Sequence, residues 1–267
     1  PESVKYDEEQ DVYFVSNING NPSQKDGNGF ISRIEPDSML VDTTFIAGGT
    51  GGVVLNAPKG LAITGDTLWV TDIDVVRGFN RETGAPVGVI SFESHNPRFL
   101  NDIATGPDGA LFVTDMGVVF AEDGSMTSPG PERIFRIAPD RRVTIALEAD
   151  SLGGPNGLTW DDDEDHFIVA TFGSTSVLEW SPGDSAAPVV VASGPGMFDG
   201  VEIIGDDRVL VSSWADSSIQ VLVDGQMTTF IRDVPTPADI GYDDERDQVL
   251  IPIFTGNRVE IWSVPEN

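Results

Sequence analysis

Six short apolar segments recur along the chain, and the residues immediately before them are Glu2, Lys59, Asn101, Asn156, Asp199 and Ala238. Five of the six are polar or charged. Packing alone has no use for this, because carboxylates and amides held away from water must find partners. The carboxylates of Glu2 and Asp199 and the amide oxygens of Asn101 and Asn156 form an all-oxygen donor set. With waters completing six to eight ligands, that set matches calcium, and another divalent cation of similar hardness is the alternative. Lys59 offers a competing arrangement, since its ammonium can neutralise Glu2 and Asp199 in the place of a cation. A third arrangement is a wet channel in which these side chains bond one another and hold no metal. The chain has no cysteine, which excludes thiolate sites and disulfides.

A column of this kind converges on one point only if the segments following it are inner strands of a closed array. Those segments are SVKY (3–6), GLAIT (60–64), DIATG (102–106), GLTW (157–160), GVEII (200–204) and DIGY (239–242). Each is followed by a tight turn and a second apolar strand, over 11–17, 67–73, 110–116, 166–172, 208–214 and 248–254. A third strand alternates with period two over 30–36, 75–81, 133–139, 176–182, 218–224 and 258–264. A weaker fourth closes five of the units. Four strands per unit, with column spacings of 57, 42, 55, 43 and 39 residues, predict an all-β, six-bladed β-propeller occupying 1–267 as one domain. No amphipathic helix is expected. The last unit stops after its third strand and the chain opens directly on a first strand, so the missing strand is expected from residues upstream of Pro1. An upstream segment removed by processing leaves a periplasmic or secreted location open.

The net charge of −29, from 44 acidic against 15 basic residues, argues against nucleic acid as a partner, because such a surface repels phosphate. A high-salt habitat, where screening lets surface carboxylates coexist, is one expectation; a very soluble acidic protein is the other. No apolar run reaches the roughly 18 residues that span a bilayer.

The opening PESVKYD, then FLND (99–102), PNGL (155–158) and FDGVE (198–202), together resemble the regucalcin (senescence marker protein)/gluconolactonase/luciferin-regenerating-enzyme family over essentially the whole chain. The resemblance implies that Glu2, Asn156 and Asp199 bind the metal and that Asn101 contacts metal or substrate. It further implies calcium-dependent hydrolysis of a small lactone, with Asp199 as ligand and proton acceptor; Lys59, which is not part of the family's pattern, is a candidate for supplying positive charge to the oxyanion. The family's arginine falls where this chain has Phe99; Arg98 stands one place away and is a substrate-binding candidate beside Asn101. His95, six residues before Asn101, is a third.

The second strands end on Asn17, Asp72, Asp115, Thr171, Ser213 and Ile253. Asp72 and Asp115 are candidates for supporting the site or for bonding a neighbouring backbone. The long loops 18–29 and 117–132 are lid candidates. The principal rival to a hydrolase is a non-catalytic propeller that binds a small ligand or a protein, and a phosphotriesterase-like promiscuous hydrolase is a further enzymatic option.

Overall fold

The computed structural model describes residues 1–121, 125–183, 187–205 and 208–265. Its antiparallel sheets are blades strung in chain order. Blade one is Val4–Asp7, Val12–Asn17, Phe30–Glu35 and Leu40–Ala47; blade two is Pro58–Thr64, Thr67–Asp72, Val75–Asn80 and Pro86–Ser91. Blade three is Leu100–Thr105, Leu111–Asp115, Glu132–Ile137 and Val143–Ala149; blade four is Pro155–Asp161, His166–Thr171, Ser176–Trp180 and Val189–Ser193. Blade five is Phe198–Ile204, Arg208–Ser213, Ser218–Val223 and Gln226–Ile231, and blade six is Gly241–Asp243, Gln248–Ile253 and Arg258–Ser263. The first strand of every blade touches that of the next, and blade six returns to blade one, closing a six-bladed propeller. Only two short 3-10 turns, Glu93–His95 and Pro107–Gly109, interrupt the β-structure of the described residues. None of the described helices is long and apolar enough to cross a membrane.

The apolar core lies between blades. Phe112 of blade three packs against Phe167 and Trp180 of blade four, and Val12, Phe14 and Ile31 of blade one pack on Leu61, Val70 and Phe79 of blade two. Val4, Tyr6 and Tyr13 meet Leu250 across the closure. Ser3 also bridges Asp239, and Tyr13 Oη donates to Asp243 at 2.5 Å. The described residues of blade six form three strands. Loop 117–132 is not wholly irregular: Val119–Phe120 pairs with Met126–Thr127 as a small hairpin, with 122–124 outside the described residues.

Close approach of inner strands fixes several residue types. A Cβ on Gly200 would lie 2.4 Å from the Ile240 nitrogen of the next blade, and one on Gly157 would lie 2.4 Å from the Asp199 carbonyl oxygen. This is why the asparagine of PNG and the aspartate of FDG are each followed by glycine. Gly200→Ala is expected to lower stability by about 3 kcal/mol through overpacking against backbone that cannot yield. Urea denaturation measures it, and an unchanged midpoint contradicts this close packing.

Candidate active site

Four of the five polar residues of the column are aimed by the same backbone device. In blades two, four and five the ladder between first and second strands slips at Pro58/Leu61, Pro155/Leu158 and Phe198/Val201, and in blade three it slips beside Val113/Asp115. Two inner-strand residues therefore face one on the second strand, a bulge that re-aims a side chain. The first bulged residue is Lys59, Asn101, Asn156 or Asp199.

A hydroxyl on the second strand pins the bulge and ties it to the next blade. Thr114 Oγ1 accepts from Asp102 N at 2.9 Å and donates to the Asn156 carbonyl at 2.7 Å. Ser212 Oγ accepts from Gly200 N and donates to the Ala238 carbonyl, both at 2.8 Å. Thr71 Oγ1 donates to the Asn101 carbonyl. These hydroxyls, one residue before the strand-end column, escape a sequence reading that looks for charge.

Glu2, Lys59, Asn101, Asn156 and Asp199 come together as the floor of a cavity of about 330 Å³. All five are buried. Ala238 is buried in the same ring and adds no polar group. Asn101 Nδ2 donates to Asn156 Oδ1 and lies 3.1 Å from Met116 Sδ. Glu2 Oε2 and Asp199 Oδ1 are buried without a hydrogen-bond partner. Burial, with the Asp199 charge second, holds the Glu2 carboxyl well above the usual carboxylate range. Burial also raises Asp199 to about 7, with the indole of Trp214 and the amide of Asn156 pulling the other way. The Trp214 Nε1–H is near enough to lower that pKa, yet it completes no hydrogen bond of normal geometry.

Lys59 lines the same cavity but forms no ion pair with either carboxylate. Its Nζ donates to the Ala57 carbonyl at 3.1 Å and sits 4.3 Å from the centre of the Phe99 ring, with no ion pair to Glu2 or Asp199 among the described residues. Burial lowers its pKa to about 8, while the charges of Glu2 and Asp72 hold it up.

His95 and Arg98 lie outside the lining of this cavity. The Arg98 amide donates to both oxygens of Asp115 at 3.1 Å and the Phe99 amide donates at 2.8 Å, which leaves Arg98 exposed and Phe99 buried in the cavity wall. His95 packs its ring 5.5 Å from Phe135, and its carbonyl accepts from Arg133. Asp115 thus fixes the segment that delivers Asn101. Asp72 does the same ahead of Lys59, accepting from the amides of Asn56 and Ala57 and from Arg77 Nε.

Asp102 and Asp239 are further buried carboxylates, one residue past the column where other blades carry Gly60, Gly157 and Gly200. Asp102 accepts from Ile103 N at 2.7 Å and from Leu158 N of blade four at 2.8 Å, and burial raises it to about 6. Asp239 accepts from Ser3 Oγ at 2.5 Å. They are ties between blades, and their signal was charge in a column otherwise held by three glycines and Ser3.

The donor set of the floor fits a hard divalent cation. Two orphaned carboxylate oxygens stand beside two amides, and no third His, Cys, Asp or Glu completes a cluster among the described residues, so amide oxygen and water would have to supply the remaining ligands.

A family model described as SMP-30/Gluconolactonase/LRE-like region matches residues 1–240. No curated protein sequence matches the chain. Solved structures with similar coordinates include a gluconolactonase of Xanthomonas campestris, at 19% identity and TM-score 0.69, covering 94% of this chain and 82% of that one. A luciferin-regenerating enzyme matches at 16% identity with the same coverage and TM-score, and a chain of a nidogen/laminin complex matches at 20% identity and TM-score 0.69 over 87% of this chain and 80% of that one. At such identities these likenesses establish the fold alone.

The raised pKa of Asp199 has a stability consequence. In the unfolded chain the group titrates near 4, so the folded protein loses stability as pH rises from about 4 to about 7. In chelator-treated protein, Asp199→Asn is therefore expected to gain on the parent by on the order of 2 kcal/mol between pH 5 and pH 8, where the parent holds an unpaired buried charge. Urea denaturation at the two pH values checks this, and an equal difference at both contradicts it.

Proposed function

Because the chain belongs to the SMP-30/gluconolactonase/LRE-like family, we propose that it is a hydrolase of small cyclic esters that depends on a divalent cation, calcium before others, held at the propeller mouth. The observation that carries this reading is the pair of buried, unpartnered oxygens, Glu2 Oε2 and Asp199 Oδ1, on the floor of a substrate-sized cavity. Buried charge of that kind is costly unless something positive meets it, and Lys59 pairs with neither oxygen. Glu2, Asn156 and Asp199 would hold the cation, with Asn101 beside them. A divalent cation bound there supplies Lewis acidity toward an acyl oxygen.

The chain's own residues supply the rest. An Asp199 carboxylate oxygen not engaged by the cation would take a proton from the attacking water. The water oxygen bonds to the acyl carbon, the ring C–O bond breaks, and the proton taken at Asp199 passes to the departing ring oxygen, leaving a hydroxy acid. Lys59, which lines the same cavity, would contribute positive charge near the developing oxyanion. Asn101, bonded to Asn156, would orient the substrate.

A non-catalytic propeller that binds a ligand at the same mouth is the second reading. It is favoured by the lack, among the described residues, of a third acidic or histidine ligand.

A panel of lactones with and without chelator separates the two. Turnover is expected to disappear on chelation, to return with calcium, and to fall about 10²–10⁴-fold in Asp199→Ala, the range for loss of a positioned general base. Turnover that survives both treatments contradicts the proposal, and no turnover across the panel favours the binding module.

A further inference from the structure

The residue after each second-strand end falls in another column: Ile18, Ile73, Met116, Phe172, Trp214 and Phe254. All six are large and apolar, although they stand at the mouth end of their strands. Five of them, all but Ile73, line the cavity over the polar floor. Phe172, Trp214 and Phe254 form a continuous arc across blades four to six, with ring centres 5.4 and 5.2 Å apart. Phe99 and Phe120 make a second aromatic pair in the same wall, 5.1 Å apart.

The rim continues in the same character. Pro22 of loop 18–29, Met126 of the small hairpin and Met197 of the approach to blade five complete the lining, and Met126 and Met197 are 45% and 40% exposed. Three of the chain's five methionines therefore lie at this cavity. Methionine is unbranched and polarisable, so it moulds to irregular apolar ligands. Above the floor, the wall's only side-chain polar hydrogen among the described lining residues is the Trp214 indole N–H, which has no partner. Arg98 and His95, the side chains able to engage several hydroxyls, face elsewhere. The hydroxyls of a polyhydroxylated ring that stand above the floor would surrender water and find few replacements. An apolar substituent would gain by leaving water.

We propose that the substrate class of this site is a lactone with an apolar body, an alkyl- or aryl-bearing ring held by the wall of Met116, Phe172, Trp214, Phe254, Phe99 and Phe120, and not a sugar lactone. The proposal rests on the hydrolase reading for turnover and on the wall alone for recognition. The bond broken is the same acyl C–O bond, with water adding across it to give a hydroxy acid.

The test compares δ-hexalactone, δ-octalactone and δ-decalactone with glucono-δ-lactone, which share a six-membered ring, using calcium-supplemented protein. Burial of one methylene corresponds to about fourfold, so kcat/KM is expected to rise about fourfold per added methylene and to exceed that for glucono-δ-lactone. A flat series, or preference for glucono-δ-lactone, overturns the proposal. The ratio between the longest and shortest members is expected to fall at least fivefold in Trp214→Ser. Met197→Ser, at an exposed rim position, carries the same test should the first variant fold poorly; unchanged ratios in the folded variants overturn the assignment of the wall. If none of the lactones is hydrolysed, the hydrolase reading has failed and the wall is judged by calorimetric titration with the same compounds. Affinity rising along the alkyl series then supports apolar recognition, and affinity independent of chain length overturns it.

Discussion

Closure of six inner strands around a narrow axis is the constraint on which the rest of the structure depends. The strands approach so closely that a Cβ cannot stand at Gly60, Gly157 or Gly200 without entering the next blade. Where a side chain does stand in that column, it fills the space its neighbour gave up: Asp102 lies against Gly60 and Asp239 against Gly200. The bulges follow from the same crowding. Each spends two inner residues against one on the second strand, so that one turns to the mouth and the other serves the closure. Thr114 and Ser212 then satisfy the amide and carbonyl groups that the bulges take out of the ladder.

The geometry has an electrostatic consequence. It gathers Glu2, Asp199, Asp102 and Asp239 near one axis, each raised in pKa first by burial and then by charges that include one another or Glu202. Asp102 and Asp239 are answered by amides and a hydroxyl within the closure. Glu2 Oε2 and Asp199 Oδ1 are not answered, and both residues line the cavity. An apolar wall stands beside them, and a low local dielectric strengthens whatever charge interaction is made there. Floor and wall divide the work of a site, the one supplying charge and the other a body of contact.

Much of this was legible in the repeats. Period-two strands and equivalent column positions gave the propeller, and the five polar side chains do meet at one cavity. Asp102 and Asp239 were hidden because they look like the first residues of ordinary strands; only the glycines opposite them reveal a separate column. Arg98 and His95 were read by distance along the chain to Asn101, but direction is decided by Asp115, which grips the amides of Arg98 and Phe99 and sends the ring inward. The apolar column beside Asp72 and Asp115 passed as strand core, since a hydrophobic residue at a strand end carries no mark of facing a cavity. Within loop 117–132, the hairpin at Val119–Phe120 and Met126–Thr127 is too short for a periodicity to show.

The cation site at the mouth is tested most directly by anomalous scattering from crystals soaked with a lanthanide in place of calcium. The expected result is one strong peak at the floor, within coordination distance of Glu2 Oε2 and Asp199 Oδ1, that is lost in Asp199→Asn. A floor without a peak, with Lys59 Nζ moved into contact with the two carboxylates, would contradict it.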